Sequence, residues 1–470
     1  MLWSMKGKRR GFDEMGMFQG RLHVWFPPVF GLFIANRFMG SPLLDDIIGI
    51  LAIPMLVIAF MGAAGLFRIL GGVFTISGAG MFLYSGLPLS ELPGMMIATM
   101  PLLSFLTVLP WMNSVVRSGR FDRRINDLTK VNASHLGTMY TRSSVSTYVL
   151  AMFINLSALS LSQDVLRGSL RHFHKRLRDS FISRVTLRAF TLALLWSPME
   201  IMVAITVDTT GVSYLAFLPW LFLASVSLLV IDWVWNWLLF RRIPNEERDE
   251  DVKPVVINWR VTAWKMMQLM MALMVFLTAV VTIGNVFLLN FILSVTLVIL
   301  PFSFGWALIM GRFRSFIHIG WGTWKQRTNQ LQNFVVLFLS LSLFSESLNE
   351  TPFLERLQMP FEAVSGTPLL ILLLVQFTYL SLSMIGVHPI ATIAILGEIL
   401  QPLFAVINPL SIGMVLIMGA LATATVGTYG VTVTMTAMNT AQNPYRITLR
   451  NMPFALLCGS MGTLIGFLLL

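Results

Sequence analysis

The chain has 470 residues, 56% of them hydrophobic and only 12% charged, where a soluble domain carries about 25% charged residues. With a mean hydropathy of +0.76 and many runs near the roughly 20 apolar residues that cross a bilayer, a soluble globular fold is excluded. A transmembrane β-barrel would need short alternating segments, and the sequence has none. The net charge of +11 fits Lys and Arg gathered in cytoplasmic loops better than nucleic-acid binding. Cys458 is the single cysteine, so no intrachain disulfide and no cysteine-based metal centre can form.

An all-α polytopic membrane protein is expected, with about twelve transmembrane helices and two re-entrant hairpins. Residues 1–21 contain Lys6, Lys8, Arg9, Arg10 and Arg21, which places the N-terminus in the cytoplasm and makes a cleaved signal peptide a poor fit. Spans are expected at 22–37 (kinked at Pro27-Pro28), 47–67, 73–87 and 95–116, with Asp45 and Asp46 at the outer surface. A cytoplasmic loop follows, with Arg117, Arg120, Arg123, Arg124, Lys130 and Arg142. The apolar stretch 145–162 is flanked on its far side by a second basic run, from Arg167 to Arg188. One span cannot keep both ends inside, so a hairpin entering and leaving from the cytoplasm is expected. Its tip falls near Asn155 to Ser160; a complete span with one basic flank outside is the alternative. In 164–184, Leu166, Leu170, Phe173, Leu177 and Phe181 form one stripe opposite Arg and Lys, as on a helix lying on the membrane surface.

A span at 187–207, broken at Ser197-Pro198, and another at 214–240 complete a first repeat, 1–240. The charged stretch 241–258 is expected to be a cytoplasmic linker. The second repeat, 259–470, begins with spans at 261–283 and 286–310. A basic loop at 311–331 and a span at 333–344 follow, and then a slightly acidic outer loop at 349–366. By analogy with the first repeat, 367–385 is a second hairpin, 387–400 a broken span and 403–425 its neighbour. The Thr-rich piece 423–436 can be an unwound, cavity-lining end, and 454–470 is a last span. That topology leaves Arg446 and Arg450 outside, against the charge rule.

Proline breaks a helix, and broken backbone in a bilayer survives only against protein or water. Pro198 pairs with Pro389, and Pro219 with Pro409. The segments 104–125 and 336–357 also look related. Broken helices repeated in two halves are the sequence pointer to a secondary-transporter site. Candidate substrate ligands are Asn155, Ser157, Ser160 and Ser197 from the first copy. The second copy offers Gln376, Thr378, Ser381, Ser383, Gly386 and His388. Small polar residues also simply let helices pack closely, and that reading stays open for each. Glu200 and Glu398 are ionisable groups within apolar sequence, hence candidates for ion coupling; an interfacial position is the alternative. Asp208 fits an outer-surface acid, and Arg188 a side chain reaching out of a span entrance. His172, His174 and His318 lack the partners of a zinc site. No nucleotide-binding GxxxxGK[ST] motif occurs.

The stretches NLSALSLS (155–162), WSPMEIMVAI (196–205) and LSLSMIGVHPIATIAILGEIL (380–400), with the two hairpins, resemble the ion transporter superfamily. That group includes the gluconate permeases, the large subunit of TRAP transporters and the arsenite and citrate permeases. The resemblance implies a permease of the cell membrane that moves a small organic anion, such as a carboxylate. Transport would be coupled to Na⁺ or H⁺ by alternating access, with no other cofactor and no enzymatic activity. The partners implied are membrane lipids and the anionic solute; a homodimer is left open. The alternatives are a component of an envelope glycan or lipid exporter, or a membrane-embedded lipid-modifying enzyme.

Overall fold

The computed structural model describes residues 21–121, 125, 135–244, 259–364 and 366–470. Lys6, Lys8, Arg9, Arg10, Arg123, Arg124, Lys130 and most of the 241–258 linker lie outside the described residues. Among the described residues there is no β-strand, only an isolated bridge between His135 and Pro244. The chain is an all-helical, polytopic membrane protein. Among the described residues, seven helices are long and apolar enough to cross a bilayer, or eight if one bent pair counts as a span. Other apolar segments are broken into shorter helices, such as Ile201–Thr210 and Pro389–Ala405.

The chain divides into two compact units, Met1–Ser114 with Val295–Leu357, and Val115–Ser294 with Gln358–Leu470. Each unit draws on both sequence halves. In the first unit, α1 (Leu22–Met39) keeps Pro27 and Pro28 inside the helix and ends at Gly40, whose φ of +64° is the left-handed cap glycine favours. Pro42 then opens α2 (Pro42–Gly62), where a missing N–H costs nothing. After α3 (Gly65–Ser85), α4 (Met100–Ser118) and α11 (Phe291–Ile309) come α12 (Phe313–Thr328) and α13 (Gln332–Asn349), which are bent by 53°. The expected basic loop at 311–331 is therefore mostly helix. Helix α13 packs on α3 through Phe74 and Phe344, whose ring centroids are 5.2 Å apart. The segment 349–366, expected as an outer loop, likewise contains a short helix, Phe353–Glu362 (α14).

The second unit contains α5 (Leu136–Ile154), α6 (Leu156–Ser169), α7 (Lys175–Leu194), α8 (Ile201–Thr210), α9 (Tyr214–Phe240) and α10 (Trp259–Phe287). From the second half it takes α15 (Pro368–Met384), α16 (Pro389–Leu400), α17 (Pro409–Ala422), α18 (Val431–Thr440) and α19 (Pro444–Leu468). Helices α5 and α6 form a hairpin. The end of α6 (Leu166, Leu170) shares a buried cluster with the start of α5 (Leu136, Met139, Tyr140). The turn between them is Asn155 alone, at φ +43° and ψ −131°, a positive-φ conformation uncommon outside glycine. Helix α7 then runs alongside α5: Tyr140 meets Phe181 near one end, and Trp196 Nε1 donates to Tyr148 Oη near the other.

The first hairpin is thus longer than the expected 145–162. The expected surface helix over 164–184 is instead the end of α6, a turn at 170–174 and the start of α7. Its apolar stripe is real, but it faces protein: Leu166, Leu170 and Phe181 are fully buried.

The second half repeats the plan in a different register from the one expected. Helix α15 is only one arm; the interruption at Ile385–His388 is the tip, and α16 is the other arm. Helix α17 runs alongside α15, with Gly419 against Tyr379 and Gln376. Its break is not at Pro389 but at 426–430, before α18. Pro389 therefore corresponds to Asn155, and the counterpart of 195–200 is Val426–Gly430, which contains Gly427 and Gly430.

Helices α7 and α17 run in opposite directions. Gln442 Nε2 donates to the Asp179 carbonyl and Arg188 Nε to Asn451 Oδ1, so α7 ascends with α19. Ser411 Oγ donates to the Gly466 carbonyl and Thr428 bonds Thr448, so α17 descends against it. This also corrects the placement of Arg446 and Arg450. They lie at the same end as Lys175 and Arg176, and the conflict with the charge rule disappears.

Candidate functional site

Each hairpin tip meets the interruption of its own broken helix. In the first copy α7 ends at Leu194 and α8 begins at Ile201, leaving Leu195 to Glu200 unwound. Pro198 explains the break, since it has no N–H to give and blocks the preceding turn. Ser197 Oγ lies 3.5 Å from the Met152 carbonyl near the hairpin tip and receives the Met199 N–H at 3.4 Å. Glu200 is 7% exposed and sits at the N-cap of α8 without capping it by its side chain. Its Oε2 instead accepts from Asn155 Nδ2 of the tip, at 3.4 Å. Asn155, Ser197 and Glu200 thus form one junction: a carboxylate at a helix N-terminus, where an anion or a bound cation's ligand is electrostatically favoured.

In the second copy the tip turns at Gly386, whose φ is +95° and which packs against Tyr429 in the break. His388 caps α16, its Nδ1 accepting the Ile390 N–H at 3.3 Å. Ser383 is buried, and its Oγ has no hydrogen-bond partner. Such an orphaned hydroxyl is costly unless something reaches it. Gly386, with Ser383 and His388 beside it in the chain, thus meets Tyr429 at the second junction.

Other expected ligands lie elsewhere. Gln376 is wedged among the glycines of α17 and α19, where a Cβ on Gly459 would fall 2.1 Å from its Nε2. Thr378 Oγ1 bonds the Leu374 carbonyl of its own helix. Ser381 is half-buried one turn before the tip, and Ser157 is half-buried just after Asn155. Ser160 accepts from Asn439 Nδ2 at 3.3 Å. Glu398 lies ten residues along α16 from the tip at His388, about 15 Å at 1.5 Å per residue. Asp208 is not a simple surface acid: its Oδ1 accepts the Phe291 N–H at 3.3 Å. Among the described residues, no group of three or more His, Cys, Asp or Glu could hold a metal ion.

Two polar groupings went unrecognised in the sequence. Gln163 bridges the copies, donating to Thr436 Oγ1 at 2.8 Å and accepting from Asn439 Nδ2 at 2.9 Å. The reciprocal contact joins the other pair of elements, with Gly397 of α16 against Thr209 of α8. Each hairpin's second arm thus packs on the broken helix of the opposite copy. The other grouping surrounds Arg188, which is buried rather than reaching outward. Its Nη1 lies 2.8 Å from Asp232 Oδ1, and Asp232 Oδ2 accepts from Tyr140 Oη at 2.8 Å. Asp232 was visible as the lone acid of its apolar span, with Asn236 one turn away on the same face.

Paired hairpins and interrupted helices, in a polytopic all-helical chain, define a class of membrane protein with its irregular backbone held inside protein. Within that class, the fold is similar to that of the YdaH transporter of Alcanivorax borkumensis, whose crystal structure is described as having an unusual topology. The TM-score is 0.55 at 14% sequence identity, over 80% of this chain and 86% of that one. No family model and no curated protein sequence matches the chain.

Proposed function

We propose that the protein is a secondary active transporter of the cytoplasmic membrane, with its N-terminus inside. It moves a small organic anion, such as a carboxylate, coupled to Na⁺ or H⁺, by alternating access. The observation that carries this is the pair of junctions, each a hairpin tip against an interrupted helix, in copies that run in opposite directions. Oppositely directed broken helices around one site are how carriers expose that site first to one side and then to the other. Half-helix N-termini supply unpaired N–H groups and a positive dipole end for an anion. Asn155, Ser197, Ser383 and His388 add side-chain contacts. Glu200 is the better-placed candidate for the coupling ion, because it stands in a junction; Glu398 is the second. The likeness in fold to a transporter supports the same reading, and so does the resemblance of the sequence stretches to the ion transporter superfamily. Lipids surround the chain, an anionic solute is the partner it carries, and nucleic acid has no part.

The test is uptake by the purified protein in proteoliposomes under an imposed Na⁺ or H⁺ gradient, with a panel of labelled mono- and dicarboxylates. Concentrative uptake of at least one, abolished by collapsing the gradient, is expected. Uptake of none, or only downhill leakage indifferent to either gradient, would overturn the proposal. An exporter component or a lipid-modifying enzyme would give the same negative result, and would be told apart by altered envelope glycans or lipids.

A further inference from the structure

A cavity of about 310 Å³ opens in the second unit, between the α6–α7 turn and the α18–α19 turn. It lies at the basic end of the unit, remote in sequence from both junctions. Lys175, Arg176, Arg446 and Arg450 line it, with Asp179 as its one carboxylate. Two long helices begin at its wall. His174 caps α7, its Nδ1 accepting the Arg176 N–H, and Asn443 caps α19, its Oδ1 accepting the Tyr445 N–H. Their dipoles add to the positive potential of the four cations. Gln442 ties the two walls together, donating to the Asp179 carbonyl at 3.1 Å and accepting from Arg450 Nη1 at 2.9 Å. Among the described residues, no carboxylate is within ion-pair distance of Lys175, Arg176 or Arg446.

Asp179 narrows the ligand. The residue is 6% exposed, and its Oδ1 has no hydrogen-bond partner. The nearest cation, Arg178 Nε, is 3.8 Å from that oxygen, beyond hydrogen-bond reach. A buried carboxylate oxygen without a donor is costly, and Asp179 lines a cavity whose charge asks for an anion. An anion that also brings an O–H satisfies both demands. A fully ionised anion without a hydroxyl, such as sulfate, satisfies only one and repels Asp179.

We propose that this cavity binds a phosphate group accompanied by its own hydroxyl donor, with Lys175, Arg176, Arg446 and Arg450 holding the phosphate and Asp179 accepting from the hydroxyl. Two sources share that chemistry: free phosphate in its protonated forms, and the headgroup of a lipid such as phosphatidylglycerol, whose glycerol carries hydroxyls. The volume stands at the low end of small-molecule sites and accommodates either. The site is separate from the transport proposal and stands or falls without it.

The full-length protein in phosphatidylcholine nanodiscs is heated at matched ionic strength with inorganic phosphate or with sulfate. A parallel series replaces part of the phosphatidylcholine by phosphatidylglycerol. The unfolding midpoint rises with phosphate, with phosphatidylglycerol, or with both, and the source is read from which arm responds. Sulfate raises it less than phosphate does. In the variant Lys175→Gln/Arg446→Gln, both residues being exposed and free of ion pairs, the unliganded midpoint is unchanged. Its apparent affinity for the responding ligand is weaker by about tenfold or more, the loss of two charge-assisted contacts. No response in either arm, an equal response to sulfate, or a response undiminished in the double variant would overturn the proposal.

Discussion

Replacing Asp232 by leucine is expected to be among the most damaging single changes within the second unit. Arg188 and Asp232 are buried, with side chains 6% and 2% exposed. Asp232→Leu leaves a guanidinium that cannot discharge itself. Arg188 keeps Asn451 Oδ1 at 3.0 Å, the Arg450 carbonyl at 3.2 Å and the face of Phe454, but no negative charge. Stranding one member of a buried pair costs about 3–5 kcal/mol. The mirror change, Arg188→Met, strands a carboxylate that keeps the Tyr140 hydroxyl and Asn236 Nδ2, at 2.8 and 2.9 Å. That carboxylate can also take up a proton. The expected loss is then closer to that of one charged hydrogen bond, about 1.5–3 kcal/mol. The double variant should lose less than Asp232→Leu alone, because no stranded charge remains. Unfolding of the purified protein in micelles, followed by tryptophan fluorescence, measures all three. Equal losses for the two single variants, or a double variant as unstable as their sum, would show that the pair is not coupled as the geometry requires.

Glu200→Gln keeps the shape of the first junction and removes its charge. It should abolish gradient-driven uptake in proteoliposomes while leaving the unfolding midpoint in place, whereas Glu398→Gln should reduce uptake less. Gly386→Ala must hold a side chain at φ +95° and push Tyr429, whose Cδ2 would lie 3.3 Å away. It should cost about 1–3 kcal/mol, read in the same denaturation assay. Gly49→Ala places a methyl 2.2 Å from the Pro93 carbonyl oxygen, a backbone atom that cannot step aside. It should destabilise by about 1–3 kcal/mol, while Gly322→Ala, with open space around it, should be neutral or stabilising by up to about 1 kcal/mol.

The sequence made the class and the first hairpin visible for physical reasons. Apolar length and scarce charge dictate a bilayer environment, and two basic flanks cannot lie on opposite sides of one short span. Pro198 announces its break because the ring itself forbids the helix. The second copy misled because proline has two uses. Pro389 starts a helix after a tip, with His388 as its cap, and does not break one. The true second interruption, Val426–Gly430, contains no proline; its two glycines signal only permissive backbone. Asn155, the whole turn of the first hairpin, carries no composition signal beyond its tolerance of positive φ. The stripe from Leu166 to Phe181 has the pattern of a surface helix, yet 170–174 turns and folds its apolar side inward. Partners such as Gln163 with Thr436, and Arg188 with Asp232, are joined across the chain and leave no local trace.

Sided thiol labelling tests the central claim most directly. Cys458 is buried, so the native protein gives little background. Ser160→Cys and Ser381→Cys, one on each hairpin, are exposed in oriented membrane vesicles to a membrane-impermeant maleimide. The account predicts that Ser160→Cys reacts from the face bearing Lys175 and Arg446, and Ser381→Cys from the opposite face. Labelling of both from one face, or of neither from any face, would contradict two oppositely directed hairpins reaching a common aqueous site.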